Sequence, residues 1–374
     1  MLPVTSSEGY TLCRDGLLFI AVTRAFPPPT APSARKRRAA AGRSPTLADV
    51  AAIVGVTKVT VSRALNAPSL VSPETLERVR EAIRRTGYVP NLVAGSLSSN
   101  RSRLVVALVP NIAGAVFIET MQALSTRLGE AGYQLLIGQV GYDEPREDVL
   151  LETIIGRRPD GIVLTGVVHS PDARRRLRAA RIPVVETWEL TPKPIDMLVG
   201  FSHEAIGAAA ARHLHARGRR RLAVITPDDR RARIRAEAFV ATATKLGGTS
   251  ADRPIPIHTA TAPTPMGAGR AALRELLAEH PDIDGLYCGA DTMALGVLIE
   301  AKARGILVPE QLAVIGYGDL SFAKDTDPPL TTIRIDGATI GRCAADMLID
   351  RATGRPTSTR TVDVGFTVVE RAST

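Results

Sequence analysis

Apolar residues recur with a helical period between residues 46 and 87. In the first segment they fall at i, i+3, i+4 and i+7, which predicts a helix with one apolar face: Leu47, Val50, Ala51 and Val54. Thr46 is positioned to cap this helix and Gly55 to end it. A second segment, residues 57–66, turns three apolar side chains inward: Val61, Ala64 and Leu65. Two short helices joined by a glycine-containing turn are typical of a helix-turn-helix.

The second of these helices is the one that a helix-turn-helix places in the major groove of DNA. We therefore predict that Lys58, Val59 and Arg63 select the bound sequence. The candidate DNA contacts in this region are Thr46, Thr57, Lys58, Val59, Thr60, Ser62, Arg63 and Asn66. A third helix is predicted from Pro73, with Ser72 as its cap, to Thr86. The alternative interpretation is an ordinary helical bundle with a solvated charged face.

From residue 104 onward, apolar runs alternate with amphipathic stretches, which predicts an α/β fold with helices on both faces of parallel sheets. Helices are predicted over 117–131, 205–217 and 292–304. The predicted strands cover residues 104–109, 134–139, 161–164, 184–185, 222–225, 285–288 and 312–315. The segments 331–333 and 361–368 are expected to return to the first sheet. The pattern therefore predicts two Rossmann-like lobes, with a ligand bound between them at the carboxyl ends of the strands.

Positive charge is concentrated near the N-terminus. Residues 1–100 contain 13 of the 47 Lys and Arg residues but only six of the 38 Asp and Glu residues, which leaves 34 basic and 32 acidic residues elsewhere. This excess beside the predicted helix-turn-helix favours nucleic-acid binding. Residues 1–44, with Pro27-Pro28-Pro29 and the charge run Arg35-Lys36-Arg37-Arg38, are expected to be a poorly structured extension, and we expect translation to begin downstream of Met1.

Motifs for other classes of protein are weak. No apolar run approaches the ~18 residues of a membrane span, and three scattered cysteines favour a reducing cytoplasm without a metal site. Gly267-Ala268-Gly269 imitates a dinucleotide fingerprint but follows Pro263-Thr264-Pro265 instead of a strand, so no cofactor is predicted. His203-Glu204 lacks the second histidine of a zinc protease, because Gly207 stands in its place. We predict that the protein is not an enzyme.

Several motifs together make this chain similar to the LacI-type (lactose/galactose-repressor) family. They are Thr46-Leu47-x-Asp49-Val50-Ala51, Gly55-Val56-Thr57-x-x-Thr60-Val61-Ser62-Arg63-x-Leu65-Asn66, Val71-Ser72, Gly87-Tyr88-x-Pro90-Asn91 and Ala94-x-x-Leu97. The resemblance implies an all-α helix-turn-helix headpiece over residues 45–90, a hinge helix and linker over 91–102, and a two-lobed periplasmic-binding-protein-like effector domain over 103–374. The hinge helix would form on DNA, where Leu97 would wedge into the central base step of a palindromic operator. Further contacts implied are Tyr88, Asn91, Val93 and Ala94; simple core packing is the alternative for Leu97.

The resemblance also suggests an effector site. Asp291 lies where an apolar strand turns into a helix, and the corresponding family aspartate accepts hydrogen bonds from effector hydroxyls; helix capping is the alternative. Arg235, four residues before Phe239, corresponds to a family arginine that could clamp a carboxylate or a pair of hydroxyls, a solvated surface charge being the alternative. Asn111, Phe117 and Thr165 end strands of the first lobe or follow them, where ordinary loop and core roles are equally open.

Within the family, the body is most similar to gluconate-utilisation repressors, as in Gly132-Tyr133-Gln134 and Ile182-Pro183-Val184-Val185-Glu186. This implies a sugar-acid effector, although Ser202-His203 departs from the acidic residue usual after the phenylalanine. No C-terminal leucine heptads are present, which favours a homodimer over a tetramer. The expected function is a repressor released by an inducer. The alternatives are a purine-repressor-type regulator activated by a co-repressor, or a solute-binding protein without DNA function.

Overall fold

The computed structural model describes residues 45–89, 101–112, 114–141, 144–247, 254–262, 264–355 and 359–374. The chain forms two compact units that divide between residues 91 and 92. The predicted extension 1–44, most of the predicted hinge segment and the predicted DNA contacts Asn91, Val93, Ala94 and Leu97 lie outside the described residues.

The first unit contains the three helices predicted from its sequence: α1 (Leu47–Val54), α2 (Lys58–Asn66) and α3 (Pro73–Thr86). The carboxylate of Asp49 accepts hydrogen bonds from the backbone N–H of Thr46 at 2.7 Å and from its hydroxyl at 2.6 Å, which fixes the start of α1. Gly55 ends α1 in the left-handed region at φ +74°, a conformation that favours glycine. A 3₁₀ turn at Pro68–Leu70, absent from the sequence prediction, precedes α3. The helices enclose a small core formed by Val50, Ala51, Val54, Val61, Ala64, Val79 and Ala82.

The second unit is an α/β domain with two parallel sheets, as predicted. Its strands are β1 (Leu104–Val109), β2 (Gln134–Gln139), β3 (Gly161–Thr165), β4 (Val184–Thr187), β5 (Met197–Gly200), β6 (Leu222–Pro227), β7 (Ile257–Ala260), β8 (Gly285–Cys288), β9 (Ala313–Ile315), β10 (Thr332–Arg334), β11 (Thr361–Asp363) and β12 (Thr367–Val369). The first lobe has the strand order β11-β5-β4-β3-β1-β2, and the second lobe has the order β7-β6-β8-β9.

Helices cover the faces of both sheets. They are α4 (Ile118–Glu130), α5 (Glu144–Gly156), α6 (Pro171–Ala180), α7 (His203–Ala216), α8 (Arg230–Lys245), α9 (Met266–Glu279), α10 (Asp291–Ala303) and α11 (Gly337–Thr353). Helix α9 begins at the sequence that imitates a dinucleotide fingerprint, and its glycine has a packing role. A Cβ added at Gly269 would lie 2.1 Å from the carbonyl oxygen of Met293, so α9 and α10 approach each other through this glycine. None of the helices in the described part of the chain is both long and apolar enough to cross a membrane.

The late segments depart from the sequence prediction. Only β11 returns to the first sheet, where it lies parallel to β5, whereas β10 pairs antiparallel with β12 in a separate two-stranded sheet. The predicted strand 361–368 is therefore wrong as one element. Gly365 breaks it at φ +63°, and its N–H donates to the Asp363 carboxylate at 2.9 Å, so two three-residue strands form instead.

The chain passes between the two lobes at three places within the described residues. It crosses from β5 to α7, from β9 to α11 through β10, and from β11 to the C-terminus through β12. The C-terminal Ser373 is fixed to the second lobe, because its N–H donates to Pro329 and its carbonyl accepts the N–H of Val314. The cleft that these crossings border contains most of the predicted effector residues.

Candidate functional site

The recognition helix α2 presents its polar face to solvent. Lys58, Arg63 and Asn66 are exposed, and the Val59 side chain is 64% exposed, whereas Val61 and Ala64 are buried. The remaining predicted contacts have local roles. The Thr57 hydroxyl accepts the Thr60 N–H at 3.2 Å, and the Asn66 amide donates to the Ser62 carbonyl at 3.0 Å. Half-buried Tyr88 packs against the headpiece core.

The cations of α2 differ from those of α3 in their partners. Arg84 on α3 pairs with Glu77 at 2.9 Å and with Glu81 at 2.6 Å, so its charge is largely compensated. Within the described residues, Lys58 and Arg63 form no ion pair with a carboxylate. Their charges are available to phosphates and base edges, which is the arrangement that a DNA-reading helix requires.

A cavity of about 240 Å³ lies between the two lobes of the second unit. Four of the five predicted effector residues line it: Asn111, Phe117, Arg235 and Asp291. Thr165 is not among the residues that line it, although it ends β3 as predicted. Its hydroxyl is buried and lacks a hydrogen-bond partner in the described part of the chain. Trp188, which directly follows the neighbouring strand β4, lines the cleft instead.

Aromatic rings form one wall of the cleft. Trp188 packs edge-on against Phe117 at 4.8 Å and against Phe201 at 5.7 Å, measured between ring centroids. Its backbone adopts φ +70°, which is unusual for a bulky residue and indicates local strain. The indole Nε1 is buried without an acceptor among the described residues, and the residue lines the cavity. Trp188 thus offers an apolar aromatic face to a ligand.

Arg235 is a buried cation without a carboxylate partner. Its side chain donates to Nδ1 of His203 at 3.2 Å and to the Gly289 carbonyl at 3.3 Å, and its guanidinium lies 3.9 Å from the ring centroid of Tyr317. All three partners are neutral at pH 7. Within the described residues, no carboxylate oxygen lies within 4.0 Å of the guanidinium, and its Nε has no acceptor. The predicted alternative of a solvated surface charge is wrong, because only 4% of the residue is exposed.

His203 links Arg235 to the aromatic wall. Its Nε2 lies 3.1 Å from the carbonyl oxygen of Trp188, and its ring meets Phe201 edge-on at 4.9 Å. Burial, and then the positive charge of Arg235, lower the pKa of His203 to about 2. His203 is therefore neutral at every pH at which the protein would be handled.

Asp291 lines the same cavity at the start of α10, two residues after Gly289, and is fully buried. Oδ1 accepts the Thr332 hydroxyl at 2.6 Å, and Oδ2 accepts the Leu320 N–H at 2.8 Å. Burial raises the pKa of Asp291 to about 6, so the carboxylate is mostly ionised at pH 7. Helix α10 begins at Asp291 itself and its N-cap is Ala290, so the alternative role as a capping residue is wrong. Its remaining oxygen lone pairs are suited to accept ligand hydroxyls.

The sequence analysis missed several cavity residues as ligand candidates, among them Trp188, His203, Asp229, Arg231 and Tyr317. Trp188 carried a usable signal, because it directly follows a buried run and is the only tryptophan in the sequence. Arg231 precedes Arg235 by one helical turn and lies 5.6 Å from the Phe117 ring centroid. Among the described residues, no group of three His, Cys, Asp or Glu side chains is arranged to hold a metal ion.

Known proteins resemble the chain in both units. Residues 46–91 match the description "Bacterial regulatory proteins, lacI family", and residues 211–374 match "Periplasmic binding protein-like domain". The HTH-type transcriptional regulator GntR of Pseudomonas aeruginosa is 39% identical over 88% of this chain and 96% of its own length. The HTH-type transcriptional regulator IdnR of Escherichia coli is 30% identical over 86% of this chain and 96% of its own length. A crystal structure of a LacI-family transcriptional regulator from Silicibacter pomeroyi superposes with a TM-score of 0.82 at 31% identity, covering 88% of this chain and 98% of that one.

Proposed function

This chain belongs to the lacI family of bacterial regulatory proteins, and from that premise we propose that it is a homodimeric repressor released from its operator by a sugar acid. Its relatives are HTH-type transcriptional regulators, and the chain is a DNA-binding transcriptional regulator like them, not an enzyme. We propose the chemical class of the effector, that it releases DNA instead of strengthening DNA binding, and the location of the dimer surface.

The buried charge of Arg235, which forms no ion pair with a carboxylate among the described residues, is the observation that carries the sugar-acid proposal. Burying a guanidinium without a counter-ion costs several kcal/mol, and a ligand carboxylate would offset that cost. A sugar acid also offers hydroxyls, which would donate hydrogen bonds to the Asp291 carboxylate in the same cavity wall. Its carbon chain would lie against Phe117 and Trp188, since apolar faces of sugars pack on aromatic rings. The cleft thus combines an anion site, a hydroxyl site and an aromatic wall.

The proposed mechanism is a change in the arrangement of the two lobes. An effector shifts such an equilibrium only by its different affinity for the two arrangements, so tight binding alone would not release DNA. Arg231 and Arg235 lie on the second lobe and Phe117 and Trp188 on the first, so a ligand between them touches both. We infer that the sugar acid favours a lobe arrangement that separates the two hinge segments of the dimer and thereby releases the operator.

The function is tested by measuring operator binding with and without effector. The operator is first selected from randomised DNA, and fluorescence anisotropy then follows binding in the presence of D-gluconate or its neutral analogue sorbitol. Release by gluconate but not by sorbitol is the expected result. Tighter DNA binding with gluconate would establish co-repression instead, and a protein that selects no DNA sequence would overturn the regulator assignment.

The exposed start of α2 should determine which operator is chosen. Exchanging Lys58 and Val59 for other residues is expected to change the preferred bases, because a good base contact discriminates by about 1–3 kcal/mol. Randomised-site selection measures the preference of each variant. Arg84→Ala is the matched control, because the charge of Arg84 is already paired with Glu77 and Glu81, and it should leave the preferred sequence unchanged. An unchanged preference in the Lys58 and Val59 variants would place base selection elsewhere.

A patch of exposed apolar side chains on the first lobe fits a second copy of the chain. Ile112, Ile118 and Ile137 are 58%, 48% and 40% exposed and border one groove beside α4 and the edge strand β2. Exposed apolar clusters of this kind mark association surfaces. Because β2 is the edge of its sheet, a partner there would also cover its unpaired backbone groups. We place the proposed dimer contact on this patch.

Ile137→Glu is expected to separate the dimer, because a carboxylate would be buried against apolar groups of the partner. The dimer dissociation constant should rise by about 100-fold or more, as measured by analytical ultracentrifugation. Val149→Glu is the control, since Val149 is 70% exposed on α5 and does not border the groove. Two variants with the same dissociation constant as the parent would exclude the patch as the interface.

A further inference from the structure

Resting on the proposed sugar-acid function, we infer that His203 is the residue that makes the cleft selective for an anion, because it holds Arg235 in place without neutralising it. Arg235 then presents to the ligand a positive charge that is not paired directly with a carboxylate. A positioning residue of the opposite charge would hold the guanidinium equally well but would cancel that charge.

The hydrogen bonds of His203 fix its protonation. Its Nε2 lies 3.1 Å from the Trp188 carbonyl oxygen, which only accepts, so Nε2 carries the proton. In the neutral ring, Nδ1 then holds the lone pair. The Arg235 Nη1 lies 3.2 Å from Nδ1 and donates to it. The imidazole therefore holds the guanidinium in position relative to the Trp188 backbone, just after β4, while adding no charge of its own.

The other groups around Arg235 stabilise its charge without forming an ion pair with it. Burial opposes the charge, but Tyr317, Tyr287 and the negative charge of Asp229 together raise the pKa of Arg235 above its ordinary value. The Gly289 carbonyl and the Tyr317 ring orient the guanidinium as neutral partners. Two carboxylates line the same cavity, and both have other bonds. Asp229 accepts the Ala232 N–H at 2.9 Å at the start of α8, and Asp291 is held by Thr332 and Leu320. Neither comes within 4.0 Å of the guanidinium.

The position of His203 explains why it can act as a selector. It is the first residue of α7, directly after the crossing from β5, and it is 2% exposed. Its side chain lines the cavity beside Arg235, so a change here alters the charge of the site without touching either the headpiece or the apolar patch on α4 and β2. A glutamate at this position would lie beside the guanidinium and pair with it.

The test compares His203→Glu with His203→Gln in the full chain. Isothermal titration calorimetry measures D-gluconate and sorbitol, which share a carbon chain and differ in the carboxylate. We expect H203E to weaken gluconate binding by about 100-fold or more relative to sorbitol, because the introduced pair competes with the ligand anion. H203Q, which can donate to Trp188 and accept from Arg235, should keep the preference of the parent for gluconate.

The outcomes separate this inference from the proposed function. If the parent binds gluconate in preference to sorbitol and H203E does so equally, the sugar-acid function stands and the role of His203 is wrong. If the parent prefers sorbitol, the sugar-acid proposal and this inference both fail. In the double variant H203E/R235Q, the added effect of H203E should disappear, since its partner is gone. His203→Asp provides a second acidic variant should H203E fail to fold, and the same loss of preference is expected.

Discussion

Replacing Arg235 with glutamine is expected to abolish the response to gluconate while leaving operator binding intact. The guanidinium is buried, unpaired and in the cavity wall, so its loss should cost about 2–5 kcal/mol of gluconate binding. Sorbitol affinity should change far less, because sorbitol lacks the charge that Arg235 would pair with. Calorimetry measures both ligands, and anisotropy with added gluconate measures operator release.

Arg233→Gln is the matched control for this experiment. Arg233 lies on the same helix α8, but its side chain is 63% exposed and its charge is near Asp228, at 3.6 Å. Its replacement should leave gluconate binding within a few tenths of a kcal/mol of the parent. If R235Q bound gluconate as tightly as the parent, the anion would have to bind elsewhere than at Arg235 on α8.

The headpiece was predictable because its signals are local. Each of these helix boundaries depends on residues within four positions of one another: the Thr46 cap with Asp49, the glycine at position 55 and the Ser72-Pro73 start. A local stretch of sequence therefore predicts where those helices begin or end. The α/β rhythm was equally readable, since buried parallel strands are continuous apolar runs. Two parallel strands were missed. The buried strand β5 is only four residues long, and the edge strand β7 alternates exposed and half-buried residues and lacks a continuous apolar run.

The cleft was only partly predictable because its residues come from distant parts of the chain. Trp188 and His203 are joined by a backbone carbonyl, and His203 meets Arg235 only after α7 and α8 have packed. A sequence pattern does not indicate which neutral group will hold a buried arginine. The prediction for Thr165 was wrong for a related reason. Thr165 lies in register with Thr187, and it is the next residue along that chain segment, Trp188, that lines the cavity.

The close approach of α7 and α8 positions Arg235, and it depends on one glycine. A Cβ added at Gly207 would lie 2.0 Å from the carbonyl oxygen of Arg235 and 2.9 Å from the backbone nitrogen of Phe239. Both neighbours are backbone atoms, so no side-chain rotation can relieve the clash and the helices must separate. Both helices carry buried residues of the second lobe, including Ile206 and Phe239, whose packing would be opened.

Gly207→Ala is therefore expected to lower the free energy of unfolding by about 3 kcal/mol or more, at the upper end of overpacking effects. Gly267→Ala is the control, because Gly267 is an exposed helical glycine with no atom within 4 Å of an added Cβ, and alanine there should be neutral or stabilising by up to about 1 kcal/mol. Urea unfolding measures both variants. Since the clash falls on the backbone of Arg235 itself, any G207A protein that remains folded should also bind gluconate more weakly. Equal stability of the two alanine variants would mean that α7 and α8 tolerate separation. The close contact between these two helices would then not be what holds Arg235 in the cavity.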